Sequence, residues 1–282
     1  MNGYSKIKSY AKINLALNIV GKSKFLHKIE SIISFLNLCD EISIKQIKKK
    51  KHFIKFKGKF SKNVGKVNSI SKLLKILDNK KLLNDKKYEI IIKKNIPTQA
   101  GLGGGSMNAA SVLKFLIKKQ NLKISRKKIL QIANLVGSDV ILGMYSRNLV
   151  LKSNNSINCI SALESKNVLV IKPNFGCSTK KIYSKVKNFN ISSFNRPNKN
   201  QFRYSQLKKM RNDLELAAFK IYPKLNSLKK FSEKLSNVEF VRMTGSGSAM
   251  IAYFSTNKLC KQAEKKVKKY FRKYWCRIAK TI

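Results

Sequence analysis

The chain has 282 residues, of which 43% are hydrophobic, and 61 basic against 13 acidic side chains give it a formal net charge of +48. That length allows two domains or one large one, and no run of roughly 18 apolar residues exists that would span a membrane. Five cysteines without a C-x-x-C spacing, with His27 and His52 as the only histidines, assemble no histidine–cysteine zinc set, so reduced thiols are expected.

Ser9–Gly21, SYAKINLALNIVG, reads as a buried strand in which Ile13, Leu15, Leu17 and Ile19 alternate with smaller or polar residues. It begins so close to the first residue that no room is expected for a secretory or transit peptide. Lys12 is either on a solvated face or held for chemistry, and composition alone favours the solvated face. Asn14 is two residues on and therefore on the same side of the strand. Tyr88–Lys94, YEIIIKK, is strand-like by its β-branched content. Pro97–Ala110, PTQAGLGGGSMNAA, follows, and an apolar-periodic run continues through Val112, Leu113, Leu116 and Ile117. The order is strand, glycine loop, helix. Such a loop is a phosphate site, because main-chain N–H groups close on the anion and the helix dipole favours it. It is neither a P-loop, which needs Gly-Lys-Ser/Thr after its second glycine, nor a dinucleotide fingerprint, which would need glycine at Ser106 or Asn108.

Further along, Ile132–Gly143 carries Asp139 between Gly137-Ser138 and Val140-Ile141-Leu142, as a helix cap, a turn residue or a functional carboxylate. The polar run Ser153–Ser156 is a candidate linker that divides the chain into 1–152 and 153–282. Asn188–Gln201 reads as a loop. Val241–Phe254, VRMTGSGSAMIAYF, places a Gly-Ser-Gly turn ahead of a strand over Ala249–Phe254. Lys258–Trp275 spaces Leu259, Ala263, Val267 and Phe271 four apart and is read as the last helix, covering a sheet and presenting a basic face to water.

The loop P-x-x-x-G-L-G-G-G-S-x-N-A-A resembles the phosphate loop of the GHMP kinase superfamily, and its triple glycine resembles the branch that acts on diphosphocytidyl-methylerythritol. Ala11-Lys12-Ile13-Asn14-Leu15, the Gly137-x-Asp139-Val140 segment, Asn212-Asp213-Leu214-Glu215, Tyr222-Pro223 and Thr244-Gly245-Ser246-Gly247-Ser248 resemble further family motifs, in the family's order. The resemblance implies an α+β protein of GHMP kinase fold. It implies an N-terminal ATP-binding domain like domain 2 of ribosomal protein S5 and a ferredoxin-like C-terminal domain. It implies a cytoplasmic bacterial kinase, a phosphotransferase with an alcohol acceptor, using ATP and Mg²⁺. Lys12 and Asp139 become the catalytic pair, with Asp139 as general base. Pro97, Thr98, Gln99, Ala100, Gly101, Leu102, Gly103, Gly104, Gly105, Ser106 and Met107 become the nucleotide loop. Met107 stands where the family usually has a second serine, which leaves Ser106 as the hydroxyl near a metal. Asn14, His27, Tyr183, Gly245 and Ser246 become the acceptor site, where His27 bonds a cytosine edge and Tyr183 stacks on the base. Phe25-Leu26-His27 stands where the family has Gly-Tyr-His, so a tyrosine is missing there.

The expected partner is a small molecule, diphosphocytidyl-methylerythritol, bound by a monomer or homodimer that needs neither a membrane nor a specific nucleic acid. The lysines are spread along the chain without a nucleic-acid motif, and the Lys, Asn and Ile excess fits the bias of an A/T-rich genome. The competing readings are a homoserine- or mevalonate-type GHMP kinase and a basic RNA-binding protein with an S5-like domain, whose RNA affinity would be salt-sensitive.

Overall fold

A computed structural model describes residues 3–23, 26–62, 64–119, 122, 124–145, 147–161 and 164–282. The chain forms two compact units, one of Met1–Ala11, Leu38–Thr98 and Gly103–Ser146, the other of Lys12–Asn37, Gln99–Leu102 and Arg147–Ile282. It passes between them inside its two longest strands, β1 (Ser5–Lys22) and β2 (His27–Ile47), which pair with each other. Strands of 18 and 21 residues are too long for one small unit, so the division is interleaved and not a single cut at 152/153.

In the first unit, β3 (Phe53–Lys57) is followed by α1 (Ser69–Asn79), β4 (Lys87–Lys93), α2 (Gly104–Lys119), α3 (Arg126–Val136) and α4 (Ser138–Gly143). β2 pairs antiparallel with β4, putting Ile42 opposite Ile92 and Ile44 opposite Ile90, and β4 pairs parallel with β3. The period-2 alternation of these strands sends Ile42, Ile44, Ile90 and Ile92 to one face, where they pack with Leu73, Leu77, Leu113, Leu116, Ile132 and Val140 of the helices. Each such side chain contributes about 1.5–3 kcal/mol on burial, far more than any helix propensity in the unit. α1 starts where it does because Asn68 accepts from the N–H groups of Ile70 and Ser71, while Ser71 Oγ accepts from the N–H of Asn68. α2 begins inside the glycine run, at Gly104, so only the earlier glycines belong to the loop.

The second unit continues through β5 (Leu149–Leu151), β6 (Ile157–Cys159), β7 (Asn167–Lys172), α5 (Thr179–Tyr183), α6 (Tyr204–Leu207), α7 (Leu214–Ile221), α8 (Pro223–Glu233), β8 (Phe240–Met243), β9 (Met250–Phe254), α9 (Asn257–Tyr270) and β10 (Trp275–Lys280). Its second sheet runs β10-β7-β9-β8 with every neighbour antiparallel. Strand, helices, two strands, helix and strand in that chain order, with the strands side by side as β10-β7-β9-β8, make the ferredoxin-like arrangement. Leu169, Ile171, Met250, Ala252 and Phe254 form a core with Leu214, Leu225, Leu228, Cys260, Ala263 and Val267. Arg242, 4% exposed, donates to the carbonyls of Leu15, Leu207 and Met210 and so satisfies three backbone acceptors at once.

One expectation is corrected here. Ser153–Ser156 is the turn of the β5–β6 hairpin, with Asn155 at φ 64° and Lys152 N–H bonded to Ser156 O at 2.9 Å, and not a linker. Asparagine tolerates the left-handed region, which is why the same polar run suits a tight turn. The expected last helix is α9, which ends at Tyr270, and the chain runs on into β10, which pairs with β7. Among the described residues no helix is long and apolar enough to cross a membrane, and all five cysteines are free thiols.

Candidate active site

Three motifs far apart in the chain meet in the second unit. Lys12, only 4% exposed, donates from Nζ to Asn14 Oδ1 at 2.8 Å, as their shared strand face requires. Asn14 Nδ2 donates to Ser31 Oγ at 2.8 Å, and Ser31 Oγ donates to Ala16 O at 2.6 Å. The backbone N–H of Asn14 donates to Thr244 Oγ1 at 3.1 Å. An ammonium at that depth is costly unless its protons are bonded, so the solvated-face reading of Lys12 fails.

Gln99–Leu102 lies against the Thr244–Ala249 loop. The N–H groups of Ser248 and Ala249 donate to the carbonyls of Gln99 and Ala100, both at 3.2 Å, and Thr244 Oγ1 donates to Gly101 O at 3.2 Å. Leu102 O accepts from Lys12 N–H at 3.0 Å. Gly101 is at φ +72°, and a Cβ there would stand 1.9 Å from Thr244 O, so no other residue fits without moving the loop. Gly245, at φ +53°, is held by Asn212 Nδ2, which donates to its carbonyl at 2.8 Å. Ser246 Oγ and Thr179 Oγ1 share a hydrogen bond of 2.8 Å.

His27 and Tyr183 also come together, with ring centroids 5.1 Å apart, and Phe189 lies 6.2 Å from the same imidazole. His27 Nε2 is buried without a hydrogen-bond partner among the described residues. Burial, with help from the Lys22 charge, lowers the His27 pKa below its usual value, so the ring is neutral at pH 7 and keeps one donor and one acceptor nitrogen. Phe25 lies outside the described residues, and Leu26 is 73% exposed.

The first unit holds the rest of the glycine loop and Asp139. Gly103 is at φ +66°, and the first intrahelical donor of α2 is Met107 N–H, bonded to Gly103 O at 2.8 Å. The N–H groups of Gly104, Gly105 and Ser106 precede that bond and, with the helix dipole, suit an anion. Ser106 is half-buried and Met107 is buried. A Cβ at Gly143 would lie 2.5 Å from Ala110 Cβ and 3.1 Å from Met107 Sδ, so Met107 is a packing group against α4. Pro97 is buried and Thr98 half-buried. Asp139 is the second residue of α4; the cap position is Gly137, and no side chain caps this helix, so the capping reading of Asp139 is not realised.

The sequence reading missed a buried cluster beneath the start of α2. Asp40, fully buried, accepts from the N–H groups of Asn95 and Ile96, each at 2.8 Å, from Asn108 Nδ2 at 2.9 Å and from Lys94 Nζ. It ties the end of β4 to α2. The available signal was the scarcity of acids, since the Asp40-Glu41 pair inside an otherwise largely apolar strand needs a reason. Glu30 was also missed. Glu30, fully buried, accepts from Asn18 Nδ2, Ser192 Oγ and the N–H groups of Ser193 and Phe194.

Residues 68–147 match the family described as GHMP kinases N terminal domain. A 4-diphosphocytidyl-2-C-methyl-D-erythritol kinase of Pelagibacter ubique is 52% identical over 282 residues, covering all of both chains. A crystal structure of 4-(cytidine 5'-diphospho)-2C-methyl-D-erythritol kinase superposes with a TM-score of 0.78 at 21% identity, covering 98% of this chain and 99% of that one. A mevalonate kinase of L. major in complex with R-mevalonate gives 0.74 at 11% identity, over 99% and 97%. Those two likenesses establish the GHMP kinase fold.

Proposed function

Because the chain belongs to the 4-diphosphocytidyl-2-C-methyl-D-erythritol kinases, within the GHMP kinases, we propose that it transfers the γ-phosphoryl group of ATP to the 2-hydroxyl of 4-diphosphocytidyl-2-C-methyl-D-erythritol, in the non-mevalonate route to isoprenoid precursors. The observation that carries this reading is identity of 52% along the whole of both chains. The fold by itself is shared with mevalonate kinase and does not choose the acceptor.

The roles follow from chemistry. The N–H groups at the start of α2 and the glycine backbone receive the ATP phosphates. Asp139 takes the proton of the acceptor hydroxyl as phosphorus is attacked. Lys12, oriented by Asn14, steadies the developing negative charge. Mg²⁺ bound with the phosphates would offset charge on the transferred group. Ser106 is the candidate protein hydroxyl for a metal carried by the nucleotide phosphates. His27 Nε2 bonds the cytosine edge, Tyr183 lies on the base, and Gly245 and Ser246 line the acceptor's polar end. The free thiols suit the bacterial cytoplasm, and the reaction calls for neither nucleic acid nor membrane.

The test is the acceptor's cytidylyl group. Methylerythritol 4-phosphate, which lacks it, is expected to have a specificity constant roughly 30- to 10⁴-fold lower, the loss of two base contacts worth roughly 1–3 kcal/mol each. Equal constants for the two acceptors would remove the base site.

A further inference from the structure

Asp40, fully buried on β2, divides its two oxygens between two tasks. Oδ1 accepts from the N–H groups of Asn95 and Ile96, each at 2.8 Å. Oδ2 accepts from Asn108 Nδ2 at 2.9 Å and from Lys94 Nζ. The first task pins the chain where it leaves β4, and the second reaches α2 one turn beyond its first residue. One carboxylate thus holds both ends of the connection that carries the glycine loop.

The start of α2 rests directly on this cluster. A Cβ at Gly104 would stand 3.0 Å from Ile96 Cγ2 and 3.2 Å from Lys94 Nζ. Glycine admits that close approach, so Ile96 and Lys94 set where the N–H groups of Gly104, Gly105 and Ser106 lie. Lys94 is 3% exposed. An ammonium beside a helix N-terminus opposes the helix dipole, so the helix itself gives no reason for one. Asp40 gives the reason, since an unpaired carboxylate buried against that turn would repel the phosphates the turn is suited to bind. The ion pair leaves the anchor without net charge.

We propose that Asp40 is a positioning residue for the nucleotide phosphates. Through Asn95, Ile96 and Asn108 it fixes the first turn of α2, and Lys94 cancels its charge so that the anion is not opposed. This rests on the kinase reading given above and adds to it the residues that hold its phosphate site in place.

The test measures ADP binding to the full chain by calorimetry in the presence of Mg²⁺, alongside steady-state kinetics. Asp40→Asn keeps an acceptor for Asn95 and Ile96 but turns an amide donor toward Lys94, which leaves the ammonium buried and unpaired. Lys94→Met leaves the carboxylate charge uncancelled. Each is expected to raise the dissociation constant for ADP and the KM for ATP at least about tenfold, the scale on which residues that orient metal ligands act. The kcat and the acceptor KM should stay within about twofold, as for a change confined to the binding of one substrate. In Asp40→Asn/Lys94→Met the buried charges are gone. Asn108 Oδ1, without a partner among the described residues, then accepts from the new amide once its own amide turns over. The double variant is therefore expected to bind ADP within about threefold of wild type, because replacing both members of a buried ion pair is often nearly neutral. A group with a purely structural part would not give this recovery in nucleotide affinity. Asn108→Ala keeps the ion pair and favours the helix, so it stays folded if the single charge variants do not. Its expected loss of ADP affinity is about fivefold or more, the value of one hydrogen bond. Affinity within twofold of wild type in Asn108→Ala, or a double variant as weak as the poorer single, would overturn the proposal. A wild type that does not bind ADP would contradict the kinase reading and the proposal together. ADP binding that depends on Asp40 in a chain that phosphorylates no acceptor would contradict the kinase reading alone.

Discussion

Asp139 stands in the first turn of a six-residue helix with a glycine at the cap, so the helix has no use for it as a cap. Asp139 is one of 13 acidic residues in the chain, and the kinase reading gives it the part of general base. General-base assistance contributes about 10²–10⁴ in rate. Asp139→Asn should therefore lower kcat by about that factor with the KM for ATP little changed, as read from kinetics with both substrates varied. Near-normal turnover would leave positioning and charge stabilisation as the whole mechanism. Lys12→Ala should also be severe, and the double variant little worse than the poorer single, since groups acting as a unit are not additive. Glu30 gives a prediction about stability. Burial raises its pKa, but hydrogen bonds from Ser193, Asn18, Ser192 and Phe194 outweigh that and hold it below the usual value of 4.5. A carboxylate depressed in the folded state stabilises fully above its unfolded pKa and loses that contribution as pH falls through the folded value. The urea midpoint of the wild type should therefore drop as pH goes below about 4.3, and Glu30→Gln should start lower and show a shallower acid limb. Parallel limbs would mean that Glu30 is not the group titrating. At this scale the sequence exposed Lys12, Asn14, His27 and Asp139, because each is an unusual residue in its local pattern. It hid Asp40 and Glu30, whose donors are 54 to 68 and 12 to 164 residues away in the chain.

The glycine loop is fixed from two directions along the chain. Before Gly103, its carbonyls accept hydrogen bonds from the Thr244–Ala249 loop, and after it α2 winds away. Gly101→Ala forces a Cβ to within 1.9 Å of Thr244 O at φ +72°. The loop must shift, at a cost of about 1–3 kcal/mol for a non-glycine residue held in that conformation. The expected result is a lower melting temperature and a KM for ATP raised at least about tenfold; an unchanged KM in a protein of unchanged stability would show that the loop does not hold the nucleotide. Elements with a long, clean period were legible: β1, β4, α2 and α9 all fall where alternation or four-residue spacing puts them. Ser153–Ser156 was not, because a polar run looks the same as a linker and as a hairpin turn until its strands are seen to pair. β10 was missed because WCRIAK is six residues with only Cys276 and Ala279 buried, three apart and so without a strand's alternation, and its stability comes from β7, over a hundred residues earlier.

At the scale of the molecule, the order of motifs carried the fold class, and the βαββαβ order of the second unit bears it out. The interleaving of the two units was not legible, since nothing in a strand's sequence marks where it leaves one core and enters another. The charge of +48 sets no fold but creates a field that draws in anions such as ATP and a diphosphate acceptor. The most direct test of the central claim is phosphoryl transfer from ATP followed by ³¹P NMR, with 4-diphosphocytidyl-2-C-methyl-D-erythritol, mevalonate and homoserine as acceptors. The account predicts a new phosphomonoester signal with the first acceptor and none with the other two. Transfer to mevalonate or homoserine, with none to the cytidylyl acceptor, would contradict it.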